Sequence, residues 1–151
     1  MFETAGATDQ EDATPGVAPG VPPAATLAEV RKQATGLRAV VARLEPGMVP
    51  VGEAPALWQA FDSIERLASG AKTLLAARVD ESGAARRAGD RTTAEFLART
   101  AGTSVGAARS TLDTSRKLDG LAHTQAALRR GELSRAQAEH VATAAAVNPR
   151  A

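Results

Sequence analysis

The chain has 151 residues, of which 44% are hydrophobic and only 3% aromatic, with no cysteine, no tyrosine and a formal net charge of +1. Strands favour Val, Ile, Thr and aromatic side chains, whereas 35 of these residues are alanine and one is isoleucine, so the composition argues against an all-β fold and for closely packed helices. The missing thiols exclude disulfides, thiolate metal sites and a cysteine nucleophile. No apolar run approaches the roughly 20 residues of a membrane span, and the acidic N-terminus does not read as a signal peptide. A protein without membrane contact, in a reducing cytoplasmic setting, is the expectation.

The small net charge conceals an asymmetry. Residues 1–25 carry four acids and no base, residues 26–85 balance at seven of each, and residues 86–151 carry eleven basic groups against six acidic ones. A positive C-terminal half permits contact with a polyanion without requiring it.

In chain order, residues 1–25 are rich in Gly, Pro, Ala and acids, show no apolar periodicity and read as a disordered acidic tail. From Thr26 the pattern changes. Leu27, Val30, Ala34, Leu37, Val41 and Leu44 recur at three- and four-residue steps on one helical stripe, and Thr26 with Glu29 forms a capping box. Glu45-Pro46-Gly47 stops that helix, a loop runs to Ala54, and Pro55 suits the first turn of the next element. A second stripe then runs through Leu57, Phe61, Ile64, Leu67, Ala68, Ala71, Leu74, Leu75 and Val79, a helix of about 26 residues. Its length suggests an antiparallel hairpin with the first helix. Gly36 and Gly70 interrupt the two helices, at about 1 kcal/mol each relative to Ala, and close helix crossing is the plain explanation.

Asp80 to Asp90 reads as a polar linker, and beyond it the helices become short. Thr92 with Glu95 is a second capping box opening Thr93 to Thr100, which Gly102 closes. Ser104 caps a helix carrying Val105, Ala108, Leu112 and Leu118, a further short helix spans Thr124 to Arg130, and Gly131 stops it. Ser134 with Gln137 is a third capping box, preceded by Leu133 as a staple, with Val141 and Ala145 on the buried face of the helix that follows. The chain stops soon afterwards and reads as a piece of something longer. The expected fold is therefore all-α: a disordered tail over 1–25, a long antiparallel helical hairpin over 26–82, and a cluster of short helices over 83–151 that is truncated at its C-terminus.

Ala94 to Thr111 can be laid on a helix-turn-helix template, with Leu97, Ala98, Gly102 and Ala108 as the small and apolar residues that hold two helices about a turn. Thr111 stands where a larger apolar residue belongs. The second helix would direct Ser104, Arg109 and Ser110 outward, without an Asn or Gln to read adenine. A helix-Gly-helix corner in an ordinary bundle has the same pattern. The basic groups of this half are nearly all arginine, which pairs bidentately with phosphate and equally with carboxylate. Arg109, Arg116, Arg129, Arg130 and Arg135 are the candidate nucleic-acid contacts, and Asp113, four residues from both Arg109 and Lys117, is placed to absorb part of their charge. His123 and His140, the only histidines, and Asn148, the only asparagine, fall on helices or a helix end and offer no ββα metal cradle. No metal or cofactor is implied.

AEFLARTAGTSVGAARSTLDTSRKLDGL followed by AALRRGELSRAQAEHVATAAAVNP resembles the actinobacterial domain of unknown function found ahead of HNH-endonuclease modules, the mycobacterial thirteen-E-twelve repeat family. The Gly131 to Ser134 turn with Gln137 and Ala138, and the Gly102-Thr103-Ser104 corner followed by Ala108-Arg109, are its most specific points. The resemblance covers Leu57 to Pro149 and implies an all-helical region followed by a metal-binding HNH nuclease. The nuclease half is missing here, so the family's catalytic residues map onto no position of this sequence. Two function classes stand at this stage. One is a non-catalytic DNA-associated module that positions an HNH nuclease, binding duplex DNA weakly and without sequence preference. The other is a structural or homo-oligomerising helical module.

Overall fold

The computed structural model describes residues 24–147. The expected disordered tail thus lies outside the described residues but for Ala24 and Ala25, as do Asn148 and Pro149. Among the described residues the protein is all-α, with seven helices, one short 3-10 turn and no strand. They divide into two compact units that part between Met48 and Val49.

The first unit holds α1 (Leu27–Val41) and the 3-10 turn Pro46–Met48. α1 starts where the capping box places it. Thr26 Oγ1 accepts the Glu29 N–H at 3.2 Å while Glu29 Oε2 accepts the Thr26 N–H at 2.7 Å, satisfying donors that the first turn leaves orphaned. None of the residues of α1 is buried.

The second unit is built on α2 (Ala54–Glu81), whose 28 residues span about 42 Å at 1.5 Å each. Packed on it or on one another are α3 (Ala84–Arg87), α4 (Thr93–Ala101), α5 (Val105–Lys117), α6 (Ala122–Arg129) and α7 (Arg135–Val147). α2 lies against α5, α6 and α7, and α5 also carries α4 and α7. The Asp80 to Asp90 stretch is not a plain linker. α2 runs to Glu81, Gly83 turns the chain at φ +68°, and α3 adds one turn whose Ala85 is buried.

The face that α2 buries is rotated from the apolar stripe read in the sequence. Gly70, Thr73 and Ala76 are its buried residues, while Ile64, Leu67 and Leu75 are exposed. Small residues win this face because neighbouring backbones come too close for leucine. An ideal Cβ at Gly70 would sit 2.8 Å from the Leu128 carbonyl oxygen, and the Ala77 N–H donates to Ser115 Oγ on α5 at 3.1 Å. Thr73, fully buried, keeps its hydroxyl satisfied on the Ser69 carbonyl at 3.0 Å. Close crossing therefore explains Gly70. It does not explain Gly36, where an added Cβ would meet nothing within 4 Å.

Two clusters form the core. Leu118, Leu128, Ala138 and Ala142 gather Leu74, Leu121 and Leu133 about them, and Ala94, Ala98 and Ala108 close with Leu97. Leu133 thus packs as the staple expected ahead of α7, and Ser134 with Gln137 forms a complete capping box. The buried face of α7 is Ala138 and Ala142, not Val141, which is 42% exposed. The Thr92 box is half formed: Thr92 Oγ1 accepts the Glu95 N–H at 3.1 Å, but Glu95 Oε2 accepts the Arg91 N–H at 2.9 Å in place of that of Thr92.

Two glycine substitutions should act in opposite directions. Gly70→Ala gains helix propensity but drives a Cβ into backbone, and is expected to cost about 1–3 kcal/mol net. Gly36→Ala has open space and should raise helicity and stability by up to about 1 kcal/mol. Thermal denaturation followed by far-ultraviolet circular dichroism measures both.

Candidate nucleic-acid interface

The corner from α4 to α5 has the geometry its residues imply. Gly102 caps α4 in the left-handed region at φ +64°, which L side chains rarely adopt, and Ser104 Oγ accepts the Ala107 N–H at 3.1 Å to start α5. Ala94 and Ala98 meet Ala108 across the corner. Thr111 fills its half-buried place by donating its hydroxyl to the Ala107 carbonyl at 3.0 Å. Of the three residues expected to point outward, Arg109 is exposed. Ser104 is engaged as the cap, and the Ser110 hydroxyl is buried with no hydrogen-bond partner among the described residues.

The five candidate arginines occupy three places. Arg109 and Arg116 line one cleft beside Asp80 and Asp113. Arg129 and Arg130 lie at the C-terminal end of α6, and Arg135, at the start of α7, lines a second cleft with Asp62, Glu65 and Arg66. Their partners differ in kind. Arg116 donates to Asp80 Oδ2 at 2.8 Å and reaches Asp113 Oδ1 at 3.5 Å. Arg130 grips Glu132 with both nitrogens, Nε at 2.6 Å and Nη2 at 2.8 Å. Arg135 meets Glu139 at 3.2 Å. Arg129 bonds only the neutral Gln125, at 3.2 Å, and Gln125 in turn donates to the Leu118 carbonyl at 2.8 Å. Arg109 makes neither an ion pair nor a side-chain hydrogen bond among the described residues.

Asp113 therefore does not neutralise Arg109 or Lys117, the two residues four positions away. It turns to Arg116, three positions on, while Lys117 reaches Thr143 Oγ1 at 3.5 Å. Sequence spacing also misses Asp80, which joins Arg116 across 36 residues. Only the packing of α2 on α5 creates that pair. Arg99, beside Asp90 at 2.6 Å and stacked over Phe96, was no part of the sequence-based set.

These pairs hold three carboxylates below their usual range. For Asp80 the larger cause is the hydrogen bond from the Thr93 hydroxyl, followed by Arg116. Arg99 does the same for Asp90, and Arg130 for Glu132. The two histidines, His123 in the first turn of α6 and His140 in α7, are both exposed. No helix among the described residues is long and apolar enough to cross a membrane.

No family model matches this chain, and no curated protein or solved structure matches it.

A carboxylate whose folded pKa is depressed stabilises the fold above its unfolded value, about 3.9 for Asp, and that contribution disappears as pH falls through the folded value. Stability should be level near neutrality and decline on acidification below about pH 4. Thr93→Val removes the main cause acting on Asp80, so the variant should be less stable than wild type at pH 7, with the gap narrowing near pH 3. Urea unfolding midpoints at the two pH values measure it.

Proposed function

We propose that residues 83–151 act as a non-catalytic, DNA-associated helical module whose role is to position an HNH nuclease, as the resemblance to the thirteen-E-twelve repeat family implies. The observation that carries this reading is Arg109: an exposed guanidinium on the second helix of a helix-turn-helix corner, left without a carboxylate although Asp113 lies one turn away. Arg129, bonded only to a neutral amide, supports it, as does the excess of eleven basic over six acidic groups in residues 86–151. Arg116, Arg130 and Arg135 belong to the same proposed interface but contribute less, since each already faces a carboxylate that a phosphate would repel. The ligand is duplex DNA, held through its phosphates, weakly and without sequence preference, and the setting is the cytoplasm.

A second reading is favoured by the apolar residues that α1 and α2 leave uncovered. Leu27 is 64% and Val30 58% exposed on α1, and Trp58 is 76% and Leu75 57% exposed on α2. A structural module would cover such stripes by antiparallel pairing of the two long helices or by a second copy of the chain.

Fluorescence anisotropy on a labelled duplex tests the first reading. Each neutralised phosphate adds about 0.9 to the slope of log affinity against log salt, so Arg109 and Arg129 alone give a slope of about −2, and three to five contacts roughly −3 to −4.5. Arg109→Ala should weaken binding more than Arg130→Ala. A wild type inert in dilute buffer refutes the DNA reading, and concentration-dependent sedimentation would then favour the structural one. Plasmid incubated with Mg²⁺ or Mn²⁺ should stay intact, and His123→Ala and His140→Ala should change nothing.

A further inference from the structure

The cleft beside Arg109 has a volume of about 500 Å³ and draws in two arginines beyond the five candidate contacts. Arg86 enters it from α3, Arg91 from the turn before α4, and Arg109 from α5. All three are exposed, and none has a side-chain partner among the described residues. Arg91 uses only its backbone N–H, to Glu95 Oε2.

The acids of the same cleft are already engaged. Asp80 takes Thr93 and Arg116, Asp113 takes Arg116, and Asp90 takes Arg99. The four arginines of the lining outnumber its three aspartates, and Arg86, Arg91 and Arg109, drawn from separate segments, have no direct carboxylate partner, so the cleft keeps a positive charge that an entering anion would offset. Beneath them Ala85, Ala94 and Leu112, each buried, supply an apolar floor that lowers the local dielectric.

We propose that this cleft is a binding site for a phosphate ester, with Arg86, Arg91 and Arg109 as its anion-binding residues. Guanidinium forks match phosphate oxygens bidentately, and three of them can serve one group from three sides. The volume lies within the range of ordinary small-ligand sites, larger than one phosphate needs, so the floor receives the organic part of the ester. The site stands on the cleft alone and holds whether the phosphate belongs to a free small molecule or to a nucleic-acid backbone.

The test is a heteronuclear NMR titration of the full chain with inorganic phosphate, against sodium chloride at matched ionic strength. Phosphate should give saturable shifts in the amides of residues 84–94 and 107–113, where chloride gives none that saturate. The Arg86→Gln/Arg91→Gln/Arg109→Gln triple variant should lose about tenfold or more in affinity. Arg38→Gln, on α1 and outside the lining of the cleft, should leave affinity unchanged. All four substituted side chains are exposed, and an unchanged wild-type spectrum elsewhere shows that each variant is folded.

A labelled duplex titrated in parallel separates the sources. Loss of both phosphate and duplex binding in the triple variant assigns the cleft to backbone phosphate. Loss of phosphate binding alone assigns it to a small ester. Phosphate binding in a protein that ignores duplex DNA leaves the cleft standing and removes the DNA reading. Absence of saturable phosphate shifts, or equal affinity in wild type and triple variant, overturns the site.

Discussion

Seven of the ten buried apolar residues among those described are alanine, and the second unit depends on the close helix approach that follows from this. An alanine methyl reaches so short a distance that two helices make van der Waals contact only when their backbones nearly touch. The structure meets that condition at its crossings: Gly70 of α2 has no room for a Cβ beside the Leu128 carbonyl, and a serine hydroxyl of α5 reaches a backbone N–H of α2. Leu118 and Leu128, the largest fully buried side chains with Thr73, pack together with Ala138 and Ala142 of α7. Dispersion summed over close backbones takes over much of what larger side chains supply in ordinary cores.

The same closeness arranges the charges. Because α2 lies directly on α5, Asp80 at the end of one helix meets Arg116 near the end of the other, and Thr93 at the start of α4 joins them. That carboxylate links three helices and, with Asp113, holds Arg116. Arg130 and Arg135 are occupied more locally, by Glu132 and Glu139. Exposed pairs of this kind contribute little to stability, but they decide which guanidiniums present uncompensated charge to solvent.

The arginines of the short helices that lack a carboxylate are distributed unevenly. Arg86, Arg91 and Arg109 face one cleft, while Arg129 stands apart at the end of α6. Leu27 and Val30 on α1 and, in the other unit, Trp58 and Leu75 on α2 are exposed apolar residues of a different kind.

The amino-acid sequence by itself determined the helical class, most helix boundaries and the turns, because these rest on local chemistry: alanine content, caps at Thr26, Thr92, Ser104 and Ser134, and glycines at 102 and 131 where φ is positive. It also held the corner between α4 and α5, whose alanines meet as their spacing implies. The tertiary structure alone decided which side of each long helix is buried. Hydropathy points to leucine, whereas close crossing selects Gly70, Thr73 and Ala76 on α2 and Ala142 over Val141 on α7. It also decided the state of each arginine, because ion pairs such as Asp80 with Arg116 join residues far apart in sequence. Spacing on one helix reveals which pairs can form, and only the packed molecule reveals which partner each carboxylate takes and which guanidiniums are left facing a common cleft.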